Sequence, residues 1–332
     1  MPGVRSTRST PSSSGRLAEK TPVALLTGFL GSGKTTLLAR LLAHPGMGET
    51  AVIVNELGEV AIDHHLLRRV DERTVVLGNG CVCCSLRGDL ADELRDLLGR
   101  RDRGEIPPFR RVVVETTGVA DPAPIIYTLL SEPVVKHHFE LERVITTVDA
   151  VRGLRAPESV AQAAAADTFV VTKTDLAPVG ELGKRLAALN PAAEMVEASF
   201  GEVEPEALFG GERRLHGLES TSAGGGHAEH GGVEAHCLVF EEQLDWVAFG
   251  VWLTMLLSAR GGDVLRVKGL LDVGGPGPLL LNGVQHVVHP PVHLEEWPDD
   301  DRRSRLVFIG RGLDRSALAH SLLAFTRAAT KA

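Results

Sequence analysis

The sequence predicts an α/β protein: a mostly parallel, doubly wound sheet of the P-loop NTPase class, followed by a smaller C-terminal α+β domain. Three observations predict it. Short, continuous apolar runs alternate with helical patterns, as in a parallel sheet covered on both faces. The first run, Val23-Ala24-Leu25-Leu26, leads into GFLGSGKTT at residues 28–36 and then into a leucine-rich helical stretch. The polar motifs sit at the carboxyl ends of the apolar runs, which is where open parallel sheets bind ligands.

Composition sets the outer limits. A length of 332 residues suggests about two domains. A net charge of −8 offers no basic field to nucleic acid or to an anionic membrane. No apolar run approaches the roughly 20 residues of a membrane span. Of four cysteines, Cys81, Cys83 and Cys84 fall within four residues and Cys237 stands apart. That is not a secreted disulfide framework, and it suits a reducing cytoplasm. Residues 1–20 are rich in Ser, Thr and Arg, without an apolar core, and read as a disordered tail rather than a targeting segment.

Taken in order, the strands expected are at residues 23–26, 51–54, 75–77, 111–114, 144–148, 169–171 and 195–196. Helices are expected after residue 34, from a Ser85 cap through Leu98, from Pro122, and over residues 160–166 and 182–189. Four stretches divide the chain: a tail at 1–20, a nucleotide-binding domain at 21–210, a Gly- and His-containing linker at 211–236, and a C-terminal domain at 237–330. The last domain reads as a strand at 238–240, a helix at 246–257, three strands at 265–271, 279–288 and 305–309, and a closing helix.

The phosphate loop fits G-x-x-x-x-G-K-[ST] with Gly28, Gly33, Lys34 and Thr35. Its amides, from Gly31, Ser32 and Gly33 to Thr36, wrap an anion at a helix N-terminus. Lys34 reaches the β- and γ-phosphates and Thr35 binds Mg²⁺. Glu115-Thr116-Thr117-Gly118 has the form [DE]-x-x-G, so Glu115 can hold Mg²⁺ through water and the Gly118 amide can meet the γ-phosphate. Thr172-Lys173-Thr174-Asp175 resembles N-K-x-D, with Thr in place of Asn. A carboxylate at Asp175 accepts from the guanine N1–H and amine, which adenine does not offer in that arrangement. The Lys173 stem can lie over the ring.

Cys81-Val82-Cys83-Cys84 offers three soft thiolates just before a helix, a donor set for Zn²⁺ first and for Co²⁺ or Cu⁺ as rivals. Three ligands leave a zinc site open or completed from elsewhere, and Glu59, His64 and His65 are the candidates. Packing cysteines would not cluster beside two glycines, and a disulfide between adjacent Cys83 and Cys84 would be strained.

In this order and spacing, GFLGSGKTT, NELGEVAIDHHLL, GCVCC, ETTG, VDA and TKTD resemble the CobW-like GTPases. RVKG at 266–269, NGVQHVVHPP at 282–291 and VFIGRGL at 307–313 resemble that family's C-terminal domain. The resemblance implies a SIMIBI-type G domain and a metallochaperone. It implies GTP at residues 28–36 and at Lys173 and Asp175, Mg²⁺ at Thr35, and a transition metal at the cysteines, with Zn²⁺ first and Co²⁺ or Fe²⁺ using the same ligands. Asn55, Glu56 and Glu59 match the family's switch-like N-E-F-G-E stretch, with Leu57 in place of Phe. The expected function is GTP-gated delivery of metal to a client protein docked on the C-terminal domain. Two other readings stay open: a metal buffer or sensor that nucleotide merely stabilises, and a small-molecule kinase.

Overall fold

The structure is a computed structural model that describes residues 20–55, 75–79, 86–209 and 232–329. Glu59, His64, His65, Cys81, Cys83 and Cys84 lie outside the described residues, as do the N-terminal tail and most of the linker expected at 211–236.

The first sheet contains β1 (Thr21–Gly28), β2 (Thr50–Asn55), β3 (Val75–Asn79), β4 (Arg111–Glu115), β5 (Phe139–Asp149), β6 (Thr168–Thr172) and β7 (Glu194–Ala198). Its order is β3-β2-β4-β1-β5-β6-β7, and every pairing is parallel. The seven strands fall where the apolar runs predict them. β1 shows why those runs are continuous. Val23 and Leu25 join the core on one face, while Ala24 and Leu26 join the core on the other. A strand covered on both faces has no polar side to alternate with.

On one face lie α2 (Leu86–Asp102), α3 (Pro122–Ser131) and the short α4 (Pro133–His138). On the other, α1 (Lys34–Leu42) packs through Leu37, Leu38, Leu41 and Leu42, and α7 (Pro205–Phe209) packs through Leu208. α5 (Pro157–Ala165) and α6 (Gly180–Leu189) share a third core with the C-terminal sheet. α3 starts as its sequence requires: Asp121 accepts from the Ala123 amide at 3.0 Å, and Pro122 occupies the first turn.

The second sheet is antiparallel in every pairing, in the order β11-β10-β9-β13-β8. Its strands are β8 (Val233–Phe240), β9 (Val264–Leu271), β10 (Leu279–Val284), β11 (Val287–Val288) and β13 (Ser304–Arg311). A two-residue strand, β12 (Val292–His293), also pairs with β10. α8 (Trp246–Arg260) and α9 (Arg315–Ala329) cover one face. The other face meets α5 and α6, where Leu265, Leu270 and Ile309 join Ala163, Ala164 and Leu186 in one core.

Two expectations need correction. The run at 279–288 is a hairpin rather than one strand, because Gln285 adopts φ 51° and turns the chain at Gln285-His286. Apolar residues on both sides of that turn hide it from a periodicity reading. The strand expected at 238–240 begins at Val233, so His236 is a strand residue paired with Phe308.

A candidate nucleotide site at the strand ends

β1 ends at Gly28, where φ is 141° and a Cβ would lie 2.2 Å from the Thr147 hydroxyl, so only glycine fits. The chain then loops to Gly33, whose left-handed φ of 94° opens α1. Ser32 turns inward, and its hydroxyl lies 2.6 Å from that of Thr147 on β5. The Ser32 amide is used within the loop as well, donating to the Phe29 carbonyl at 3.1 Å. Lys34 is buried and curls over the loop, donating to the carbonyls of Gly28 at 2.8 Å and Phe29 at 3.3 Å. Thr36 is exposed one position beyond Thr35.

The ETTG segment forms the facing wall. Leu30, Gly31 and residues 33–36 line one side of a cleft, Glu115 to Gly118 the other, and Lys173 its end. The Thr35 hydroxyl donates to Glu115 Oε1 at 2.8 Å, and Glu115 is almost wholly buried. A hydroxyl and a carboxylate at the mouth of a phosphate loop are hard oxygen donors, and this pair fits Mg²⁺. Thr116 secures the wall, its hydroxyl donating to Thr27 Oγ1 at 2.9 Å and its amide to the Leu26 carbonyl at 2.9 Å.

The departure from Asn at Thr172 has a visible role. The buried Thr172 hydroxyl donates to the Ser32 carbonyl at 2.6 Å, tying the end of β6 to the phosphate loop. Lys173, at φ 59°, donates to the Gly31 carbonyl at 2.8 Å and to Asp149 Oδ2 at 2.6 Å. Its stem thus runs along the cleft floor. Burial alone would raise the Asp149 carboxyl, but Lys173 and the amides of Val151 and Arg152 bond to it and hold it below the usual carboxylate range. Asp175 is exposed beyond Lys173.

Sequence reading passed over Phe200. β7 pairs with β6 at Ala198 and Thr172, so residues 199–200 leave the sheet beside the TKTD segment. Phe200 has φ 52° and is 66% exposed. A bulky side chain held there in the left-handed region is strained. The only signal in the sequence was Phe200-Gly201 directly after a strand. Asn55 and Asn79 are paired at the ends of β2 and β3, so the segments that carry Glu59 and Cys81 leave the sheet from adjacent strands. Among the described residues no cluster of three His, Cys, Asp or Glu is placed to hold a metal ion.

A phosphate loop, an acidic strand end facing it and the TKTD turn beside them on one parallel sheet define a nucleotide-binding P-loop protein. Residues 22–197 match the family described as CobW/HypB/UreG, nucleotide-binding domain, and residues 233–326 match the cobalamin synthesis protein cobW C-terminal domain. The chain belongs to the CobW family. It is 35% identical over 300 residues to the zinc chaperone YjiA of Escherichia coli, covering 87% of this chain and 93% of that one. It is 31% identical over 350 residues to the zinc chaperone CobW of Pseudomonas aeruginosa, covering 91% of each. The crystal structure of Zn(II)-bound YjiA GTPase from E. coli superposes with a TM-score of 0.71 at 30% identity, covering 92% of this chain and 99% of that one.

Proposed function

We infer that this protein is a GTP-dependent zinc metallochaperone: it hydrolyses GTP to GDP and phosphate, and the nucleotide gates transfer of Zn²⁺ to a client metalloprotein in the cytoplasm. The names of its relatives support both the GTPase activity and the zinc cargo. The observation that carries the gating is the strand order. β4, which ends in Glu115, stands between β1, which ends in the phosphate loop, and β2 and β3, which lead to Glu59 and the cysteines. At about 4.8 Å per strand, roughly 14 Å separates β1 from β3. A signal that travels through the sheet from β1 to β3 crosses β4, the strand that ends in Glu115.

In this reading the loop amides and Lys34 bind the phosphates, and Asp175 selects guanine. Thr35 and Glu115 hold Mg²⁺, which when bound neutralises charge on the β- and γ-oxygens. Cys81, Cys83 and Cys84 bind Zn²⁺ as cargo, with Glu59 as the fourth ligand when GTP orders its loop. The client docks on the C-terminal domain, where Val247, Val251 and Met255 form an exposed apolar stripe at one residue per turn of α8.

Coupling between ligands is reciprocal, so Zn²⁺ tightens GTP by the same factor as GTP tightens Zn²⁺. Calorimetric titration of GTP with and without Zn²⁺, on the wild type and on Cys83→Ala, checks this. We expect a shift of about tenfold in the wild type, within the usual range of allosteric coupling, and none in the variant. Equal GTP affinity in all four titrations would sink the gating.

A further inference from the structure

The ETTG wall is held from behind by a side chain that the nucleotide site does not itself explain. Gln162 sits in the middle of α5 and is fully buried. Its Nε2 donates to the Gly118 carbonyl at 3.2 Å and to the Ala120 carbonyl at 3.0 Å. With two carbonyls on that side, the amide orientation is determined, since an oxygen facing them would be repelled. Its own Oε1 is buried and finds no hydrogen-bond partner among the described residues.

Gln162 is itself rigidly set. Thr146 of β5 donates to its backbone carbonyl at 3.0 Å. The last carbonyls of α5 are each met by a foreign side chain. Asn190 Nδ2 donates to Ala163, Ala164 and Ala166 at 2.9–3.1 Å, and Arg266 of β9 donates to Ala165. On the far side, Gly118 presses against the phosphate loop, where a Cβ would lie 2.7 Å from the Leu30 amide nitrogen. Gly118 is thus gripped between the phosphate loop and a fixed amide. The two carbonyls that Gln162 holds flank Val119, so the peptide that follows Gly118 cannot turn without breaking one of these buried bonds.

We propose that Gln162 is a positioning residue for GTP hydrolysis, its amide setting the angle at which Gly118 meets the terminal phosphate. The proposal rests on the reading of this chain as a GTPase. The chain has three glutamines, which makes the test direct: Gln162 in the clasp, Gln285 bonded to Asp121 at 2.9 Å just past the same segment, and Gln243, exposed on the C-terminal domain.

In the full-length protein, Gln162→Met keeps the length and removes the donors. We expect the turnover number for GTP to fall about tenfold with GTP and GDP affinities near those of the wild type, and the melting temperature to drop because two buried carbonyls lose their donor. Unchanged turnover would overturn the proposal. So would a fall in GTP and GDP affinity together with turnover, the signature of a merely structural residue. If the variant does not fold, the wild type labelled with ¹⁵N only in glutamine side chains decides. The Gln162 amide pair should shift between GDP and a non-hydrolysable GTP analogue while the Gln243 pair stays fixed. An unmoved Gln162 pair would overturn the proposal. A wild type that binds no GTP overturns the parent reading as well, whereas normal wild-type turnover with an unaffected variant defeats this proposal alone.

Discussion

On the proposed reading, two exposed side chains beyond the Lys173 end of the cleft, Asp175 and Phe200, make separable demands on a nucleotide. On that reading Asp175 selects guanine, so Asp175→Asn should cost selectivity. A hydrogen bond to a charged group contributes roughly 1.5–3 kcal/mol, so GTP affinity should fall about 10- to 160-fold while ATP affinity barely moves. Phe200 offers a ring face, which every base accepts. Stacking is worth about 1–3 kcal/mol, so Phe200→Ala should weaken GTP and GDP alike by about tenfold and leave selectivity intact. Titration of both variants with fluorescent guanine and adenine nucleotides separates the two effects. An unchanged GTP-to-ATP ratio in Asp175→Asn would remove it from base recognition. Lys34, Thr35, Glu115 and Asp175 were legible in the sequence because each belongs to a spaced motif. Phe200 was not, because its claim rests on a backbone angle, and neither was Gln162, because its partners lie more than 40 residues away.

At the scale of elements, β6 and β9 meet through buried charge. Asp167, just ahead of β6, accepts from Arg266 and lies 3.7 Å from Lys268 Nζ. It also accepts from the Val144 amide at 2.9 Å. Burial alone would raise the Asp167 carboxyl, but Arg266, Lys268 and that amide hold it far below its ordinary range. Lys268 moves down as well, because burial outweighs the attraction of Asp167. A carboxyl depressed in the folded state contributes stability that is present above its unfolded pKa of about 4 and is lost as the pH falls below it. Asp167→Ala strands two buried cations and should cost about 3–5 kcal/mol in urea unfolding at pH 7. The gap to the wild type should close as the pH drops below about 4. A loss under 1 kcal/mol would show that the cations find other partners. RVKG could be read as a strand, but alternating Arg266 and Lys268 inside an apolar run gave no sign that both would be buried, since the carboxylate that pairs with them lies about 100 residues away in the chain.

The whole molecule is less divisible than its sequence suggests. The Gly-rich stretch after residue 210 and the change of pattern at Cys237 read as two tethered domains. Yet Val284 and Val287 of the hairpin belong to the core of the first sheet, and Leu265, Leu270, Leu280, Val307 and Ile309 share a core with α5 and α6. Apolar residues are named by the sequence, but which sheet they face is decided by the docking of the two halves. With its cores shared in this way, the protein should melt in one calorimetric transition, with calorimetric and van't Hoff enthalpies equal. Two resolved transitions would mean that the halves fold independently. A shared core also changes what a touch on one half does to the other. α5 works as a strut: its last turn bears on β9 through Ala165 and Arg266, and its middle bears on the Gly118 wall through Gln162. A load placed on the C-terminal sheet reaches the Gly118 wall through one stiff helix, so on the proposed reading a client docked there would press on the nucleotide site without any hinge between them.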